Sequence, residues 1–236
     1  MASGASVMDI VRVDNVTKIF KTGEIEVKAL NGVSLTIEEG SFQALAGPSG
    51  SGKTTLLNLI GALDVPTSGQ LWIEDVNLSK LNDSQLSDLR LEKLGFVFQA
   101  YNLIPVLTAY ENAEYVLLMQ GVPAQERKQR VEKILEEVGL KDQMHKRPGE
   151  MSGGQQQRVA VARAIVAKPR LVLADEPTAN LDSKTGAALL DLMVKLNEDH
   201  GVTFLFSTHD PMVMERARTI VHLKDGSIER LEHKEG

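Results

Sequence analysis

Apolar and polar residues alternate near the start of the chain, in Ile10-Val11-Arg12-Val13 and again in Val33-Ser34-Leu35-Thr36-Ile37. A period of two turns one face of a strand inward and the other to solvent, so these segments predict an antiparallel β lobe. Phe42-Gln43-Ala44-Leu45-Ala46 is a shorter, more apolar run entering a glycine-rich turn, and Thr54 to Leu63 follows with helical character. Leu171-Val172-Leu173-Ala174 and Thr203-Phe204-Leu205-Phe206 are apolar runs of the kind seen where both sheet faces are covered. Together with Phe42 to Ala46 they predict parallel strands. Asn82 to Lys93 and Gln125 to Val138 are charged and amphipathic, punctuated by Pro123 and Gly139, and predict a helical insertion on the surface. No internal repeat, low-complexity tract or long linker is present.

The 236 residues, 42% of them hydrophobic and 4% aromatic, suffice for one large α/β domain or a core with a smaller lobe. Lys and Arg number 26 against 32 Asp and Glu, and the net charge of −6 has the wrong sign for a general nucleic-acid surface. With no cysteine, a disulfide framework, a thiolate zinc site and a cysteine nucleophile are excluded, and a reducing compartment is expected. No run approaches the roughly 20 apolar residues that cross a bilayer. Val159 to Ala167 comes nearest and is interrupted by Arg163, so a membrane role requires a partner. The opening Met1-Ala2-Ser3-Gly4-Ala5-Ser6 lacks the basic start and apolar core of a signal peptide. Residues 1–7 are expected to be a tag or a disordered N-terminus.

The strongest chemical signal is Gly47-Pro48-Ser49-Gly50-Ser51-Gly52-Lys53-Thr54, which satisfies G-x-x-x-x-G-K-[ST] between a predicted strand and a predicted helix. Glycines let such a loop turn back so that backbone N–H groups converge, and the following helix adds its positive end. Lys53 then reaches the β- and γ-phosphates of a nucleoside triphosphate, Thr54 can ligate Mg²⁺, and Thr55 continues the cradle. Far downstream, Leu171-Val172-Leu173-Ala174-Asp175-Glu176 ends an apolar strand in adjacent carboxylates, at the edge where open α/β sheets bind ligands. Neighbouring side chains on a strand point oppositely, which suits Asp175 to Mg²⁺ and Glu176 to polarising a water. An Asp-Glu helix cap before Pro177 is the alternative for these two residues.

Met151-Ser152-Gly153-Gly154-Gln155 opens an Ala-rich helical stretch that runs from Gln155 to Ala167. Small residues at a helix start expose N–H groups and a hydroxyl, giving a second anion site apart from the Lys53 loop, although an ordinary Ser cap has the same appearance. With this element the sequence resembles the ABC-type ATPases, whose signature reads L-S-G-G-Q; Met151 in place of Leu keeps size and apolarity. The resemblance runs from Val13 to about Ile228. It implies an α/β fold: a P-loop NTPase core with a mainly parallel sheet, an antiparallel β lobe and a signature-bearing helical subdomain. Residues 8–236 are expected to form one ATPase domain, with 8–95 and 165–236 as the core and about 100–160 as the inserted helical part.

By the same resemblance, Phe20 matches the aromatic that stacks on adenine and Gln99 the glutamine linking Mg²⁺ to the membrane partner. Asn180-Leu181-Asp182 matches the loop that crosses to a second subunit, and His209 the switch histidine near the γ-phosphate. Taken singly, Phe20 also suits a core, Gln99 a surface amide and Asp182 a helix cap. Phe98 to Pro105, Leu107 to Asn112 and Ala174 to Asp182 resemble the lipoprotein-releasing and macrolide-exporter subgroup, where Ala179 departs from the usual Gly. The chain's end soon after Leu231 carries the expectation of no appended regulatory domain.

The mechanism implied is hydrolysis of ATP between two head-to-tail copies. Lys53 of one copy and Ser152 to Gln155 of the other enclose each triphosphate, Thr54, Gln99 and Asp175 hold Mg²⁺, and Glu176 orients water beside Lys53 and His209. The further partner implied is an integral membrane permease, with the chain cytoplasmic and peripheral on the inner face of the cell membrane. Two other classes share the motifs. Chromosome-organising ATPases commonly separate phosphate loop from signature by a long coiled coil, and translation-associated relatives carry two cassettes; the compact, single set of motifs here disfavours both. A scaffold with a dead site is disfavoured because Lys53, Asp175, Glu176 and His209 are all present.

Overall fold

The two alternating segments pair with each other. β1 (Asp9–Thr22) and β2 (Ile25–Glu38) run antiparallel, with Val11 opposite Ile37 and Val13 opposite Leu35. The computed structural model describes residues 8–23 and 25–234, so the expectation for residues 1–7 lies outside the described residues. β3 (Phe42–Ala46) then turns into α1 (Lys53–Ile60), which stops three residues before the helical stretch read to Leu63. Gly61 caps it and Ala62 takes φ 53°, a left-handed value that ends helical propagation. β4 (Ser68–Ile73) and β5 (Val76–Asn77) complete a four-stranded antiparallel sheet of order β2-β1-β4-β5.

α2 (Asp83–Lys93) begins where Asn82 accepts from the Gln85 N–H and the Gln85 side chain accepts from the Asn82 N–H, a closed capping box. Its Leu86 and Leu89 pack with the β lobe. This helix therefore stands apart from the other charged segment, which forms α4. After β6 (Leu94–Phe98) come α3 (Ala109–Met119), α4 (Ala124–Glu137) and α5 (Gly153–Ile165). The chain continues through β7 (Leu171–Asp175), α6 (Ser183–His200), β8 (Thr203–Thr208), α7 (Pro211–Arg216), β9 (Thr219–Lys224) and β10 (Ser227–His233).

The second sheet has the order β10-β9-β3-β8-β7-β6; β9, β3, β8, β7 and β6 are mutually parallel and β10 is an antiparallel edge. Its central strands are buried on both faces and divide their side chains between two cores. Leu171, Leu173 and Leu205 join the β lobe, α1 and α2, whereas Val172, Ala174, Phe204 and Phe206 join residues of α3 to α6. The absence of polar alternation in these runs follows from that double burial. Among the described residues no helix is long and apolar enough to cross a membrane.

Candidate functional site

Four parallel strands end at one edge of the second sheet, and each hands a functional residue to that edge: β3 leads to Gly47, β6 to Gln99, β7 to Asp175 and Glu176, and β8 to Thr208 and His209. Pro48 to Thr55, Gln99, Glu176 and His209 line a single open cleft of about 820 Å³. Gly47 adopts φ 152°, and a Cβ there would lie 2.2 Å from the Leu223 carbonyl oxygen. Gly52 takes φ 102° as the N-cap of α1, so that helix starts with its N–H groups facing the loop's interior. Gly47→Ala is expected to lose about 1–3 kcal/mol of stability through overpacking, read as a lower urea midpoint, together with weakened nucleotide binding.

The Lys53 side chain is buried and donates to the carbonyls of Gly47 (2.8 Å) and Pro48 (3.0 Å), which holds its ammonium over the loop. The Thr54 hydroxyl donates to Asp175 Oδ1 across 3.3 Å, bringing a hydroxyl and a carboxylate together from α1 and β7. Gln99 is exposed, and its backbone carbonyl accepts from Asn180 Nδ2 at 2.9 Å.

Glu176 departs from the strand with φ 45°, an uncommon value for a non-glycine residue, and its N–H donates to the Ser207 carbonyl at 2.9 Å. The side chain is thereby carried away from the Asp175 direction and toward the end of β8. One carboxylate oxygen accepts from the Thr208 hydroxyl at 3.0 Å and the other lies 2.6 Å from His209 Nδ1. Glu176 is 17% exposed and His209 73%, so the carboxylate is sheltered while the imidazole faces the cleft mouth. A carboxylate fixed by two donors at the rim of this cleft can orient a water molecule.

Ser152 to Gln155 do not line this cleft. They start α5, where Ser152 Oγ accepts from the Gln155 N–H at 3.3 Å and Gln155 Oε1 accepts from the Ser152 N–H at 2.9 Å. In that first turn Gly153 and Gly154 have N–H groups without intrahelical acceptors. Asp182 is also outside the cleft and is the N-cap of α6, accepting from the N–H groups of Lys184 and Thr185 and from the Thr185 hydroxyl. That hydroxyl and the neighbouring N–H groups hold the Asp182 carboxyl below the usual carboxylate range. Phe20 is 43% exposed, opposite Val27 of the cleft lining, with the Lys18 ammonium 5.0 Å from its ring centre; it is not a core residue.

Several lining or bracing residues carry no sequence signal of their own. Lys28 and Ala29 come from β2, and Asp225 and Gly226 from the turn between β9 and β10, joined where the Asn31 N–H donates to the Gly226 carbonyl. Thr208 was detectable only as a hydroxyl next to His209, and Gln157, buried within α5, only as one of three consecutive glutamines.

Residues 30–179 match the family described as ABC transporter. An ABC transporter ATP-binding protein of Thermotoga maritima is 49% identical over 228 residues, which are 97% of this chain and 96% of that protein. A macrolide export ATP-binding/permease protein, MacB of Syntrophobacter fumaroxidans, is 45% identical over 94% of this chain, matched to 31% of its own length. Among solved structures, the dimeric post-hydrolysis state of the ATP-binding cassette MJ0796 bound to ADP and Pi superposes with a TM-score of 0.88 at 46% identity, covering 96% of this chain and 99% of that one. MJ0796 is a protein of Methanocaldococcus jannaschii. The phosphate loop, the paired carboxylates and the α5 cap lie in the order that the resemblance implied, and the chain belongs to the ABC transporter family as an ATP-binding cassette.

Proposed function

We propose that the chain hydrolyses ATP with Mg²⁺ as one half of a head-to-tail dimer and so drives a membrane permease. The observation that carries this reading is the division of the anion-binding elements between two surfaces of one chain. The Lys53 loop, Gln99, Glu176 and His209 share the cleft, while the α5 N-terminus is outside it. A second copy supplies the missing wall. That the ADP- and Pi-bound relative is dimeric supports the presence of a second copy.

The residues present fit Mg²⁺. A hard cation takes oxygen ligands, and the Thr54 hydroxyl and Asp175 carboxylate already stand 3.3 Å apart with Gln99 in the adjoining cleft. Among the described residues no cluster of three or more His, Cys, Asp or Glu could hold a metal, so phosphate oxygens and water would supply the remaining ligands. Bound there, the ion neutralises charge on the phosphate oxygens. Lys53 serves the β- and γ-phosphates, and the N–H groups at the start of α1 receive the phosphate oxygens between them. Glu176, braced by Thr208 and His209, orients water and takes up its proton as it attacks the γ-phosphorus. The His209 ring, exposed at the mouth, would stand beside the γ-phosphate in this reading. Positioning and electrostatics supply most of the rate.

Residues 8–236 act in this reading as one ATPase domain, peripheral on the cytoplasmic face of the membrane, with Gln99 and the neighbouring helices transmitting dimer closure to the permease. Its similarity to macrolide exporters favours export or release of a substrate from the membrane. Phosphate release from ATP by the purified chain, with and without Mg²⁺, tests the activity; no release in either condition, even with the permease present, contradicts it. Phe20→Ala is expected to weaken ATP binding by about 1–3 kcal/mol if the ring stacks on the base. An unchanged dissociation constant by calorimetry would remove Phe20 from the site.

A further inference from the structure

One buried side chain joins the two surfaces. Gln157 lies in α5 beyond the Ser152 cap, with no exposed surface. Its Nε2 donates to the Pro177 carbonyl at 2.7 Å and to the Phe98 carbonyl at 3.3 Å. Phe98 immediately precedes Gln99, and Pro177 immediately follows Glu176. Both acceptors are carbonyls, so only the NH₂ end of the amide can face them and its orientation is fixed by the network. The Oε1 atom is buried without a hydrogen-bond partner among the described residues.

An unpaired buried amide oxygen opposes folding, and a methionine would fill the same space without that penalty. What Gln157 supplies that methionine lacks is the pair of N–H donors. α5 grips the same loop a second time, where Arg163 donates to the carbonyls of Asn102 (2.5 Å) and Tyr101 (3.0 Å). Tyr101 and Asn102 both have positive φ, a backbone form that persists only where its surroundings over-determine it. The Gln99 loop is thus fastened to the helix whose N-terminus meets the other copy's nucleotide.

We infer that Gln157 is a positioning residue for ATP hydrolysis: it locks Gln99 and Glu176 to α5, so that docking of the α5 N-terminus on the partner's nucleotide sets the geometry of this chain's own cleft. The inference rests on the ATPase reading of the cleft. Gln157→Met preserves the length and packing of the side chain and removes both donors. ADP affinity and the KM for ATP are expected to stay within about twofold, while kcat falls by about 10²-fold, the scale of an ångström-sized misplacement. Hydrogen exchange is expected to quicken in residues 98–102 and 176–181 and to stay unchanged in 47–54.

A merely structural role predicts a lower melting temperature with wild-type kcat in the folded protein, and that result overturns the inference. Should Gln157→Met fail to fold, Gln157→Leu also lacks both donors in a smaller side chain; the same loss of kcat at constant KM is expected, and wild-type kcat overturns the inference. Wild-type protein that releases no phosphate would instead overturn the ATPase reading. In that event unchanged exchange in residues 98–102 and 176–181 of Gln157→Met still overturns the clamp.

Discussion

Glu176→Gln is expected to bind ATP and nearly to stop hydrolysing it, with phosphate release reduced by about 10²–10⁴-fold, the usual loss when a positioned general base is removed. The glutamine has the size of the glutamate and one oxygen to accept from Thr208, so the ends of β7 and β8 stay joined. What disappears is the charge that faces His209 Nδ1 at 2.6 Å, and with it the basicity proposed to receive the water's proton. Removing a negative charge from a rim proposed to face phosphates should also favour closure of two copies on ATP. Phosphate release should fall while sedimentation shows dimers with ATP and monomers with ADP. Hydrolysis at the wild-type rate would reduce Glu176 to a strut between strands, and His209 would be the next candidate base.

Lys53→Ala is expected to weaken ATP binding by about 10²-fold or more. The ammonium lies over the loop, within hydrogen-bond reach of the Gly47 and Pro48 carbonyls, and can turn to the phosphates without leaving it. A hydrogen bond to a charged group contributes about 1.5–3 kcal/mol, and in the proposed mechanism this side chain would serve two phosphates. The loop's shape should survive, because it is set by Gly47 and Gly52 and not by the lysine. Direct titration with ATP is the measurement, and wild-type affinity in a folded variant would contradict the phosphate assignment.

The phosphate loop was legible because its chemistry is local: eight consecutive residues carry the turn, the cation and the hydroxyl. Asp175 and Glu176 were legible for the same reason, and their divergence comes from the φ 45° at Glu176 as well as from strand alternation. Only short parts of β1 and β2 could be read, although each is 14 residues long. Their pairing shifts register after Val13 and again near Val16 and Lys18, and each shift breaks the period of two. β6 was missed because α2 passes into it at Leu94 with no glycine or proline between them. β9 and β10, of six and seven residues, leave only a weak periodic signal.

What no local pattern could show is the bracing. Asn180 and Gln99 are 81 residues apart and Gln157 and Phe98 are 59 apart, yet the amides of Asn180 and Gln157 donate to the backbone at the start of the Gln99 loop. Asp182 illustrates the converse. Its helix-cap appearance in the sequence is its contact set in the structure, with both carboxylate oxygens taken by Lys184 and Thr185.

The head-to-tail dimer is tested most directly by cross-linking, for which the absence of cysteine leaves a clean background. Ser49→Cys and Ser152→Cys would each be placed in the Glu176→Gln chain; both positions are exposed, one on the phosphate loop and one at the α5 cap. Mixed and mildly oxidised with ATP and Mg²⁺, the two variants are expected to give a disulfide-linked dimer that neither gives alone and that ADP does not support. A dimer formed readily by Ser152→Cys alone, or none in the mixture under conditions where ATP-bound dimers sediment, would contradict the account.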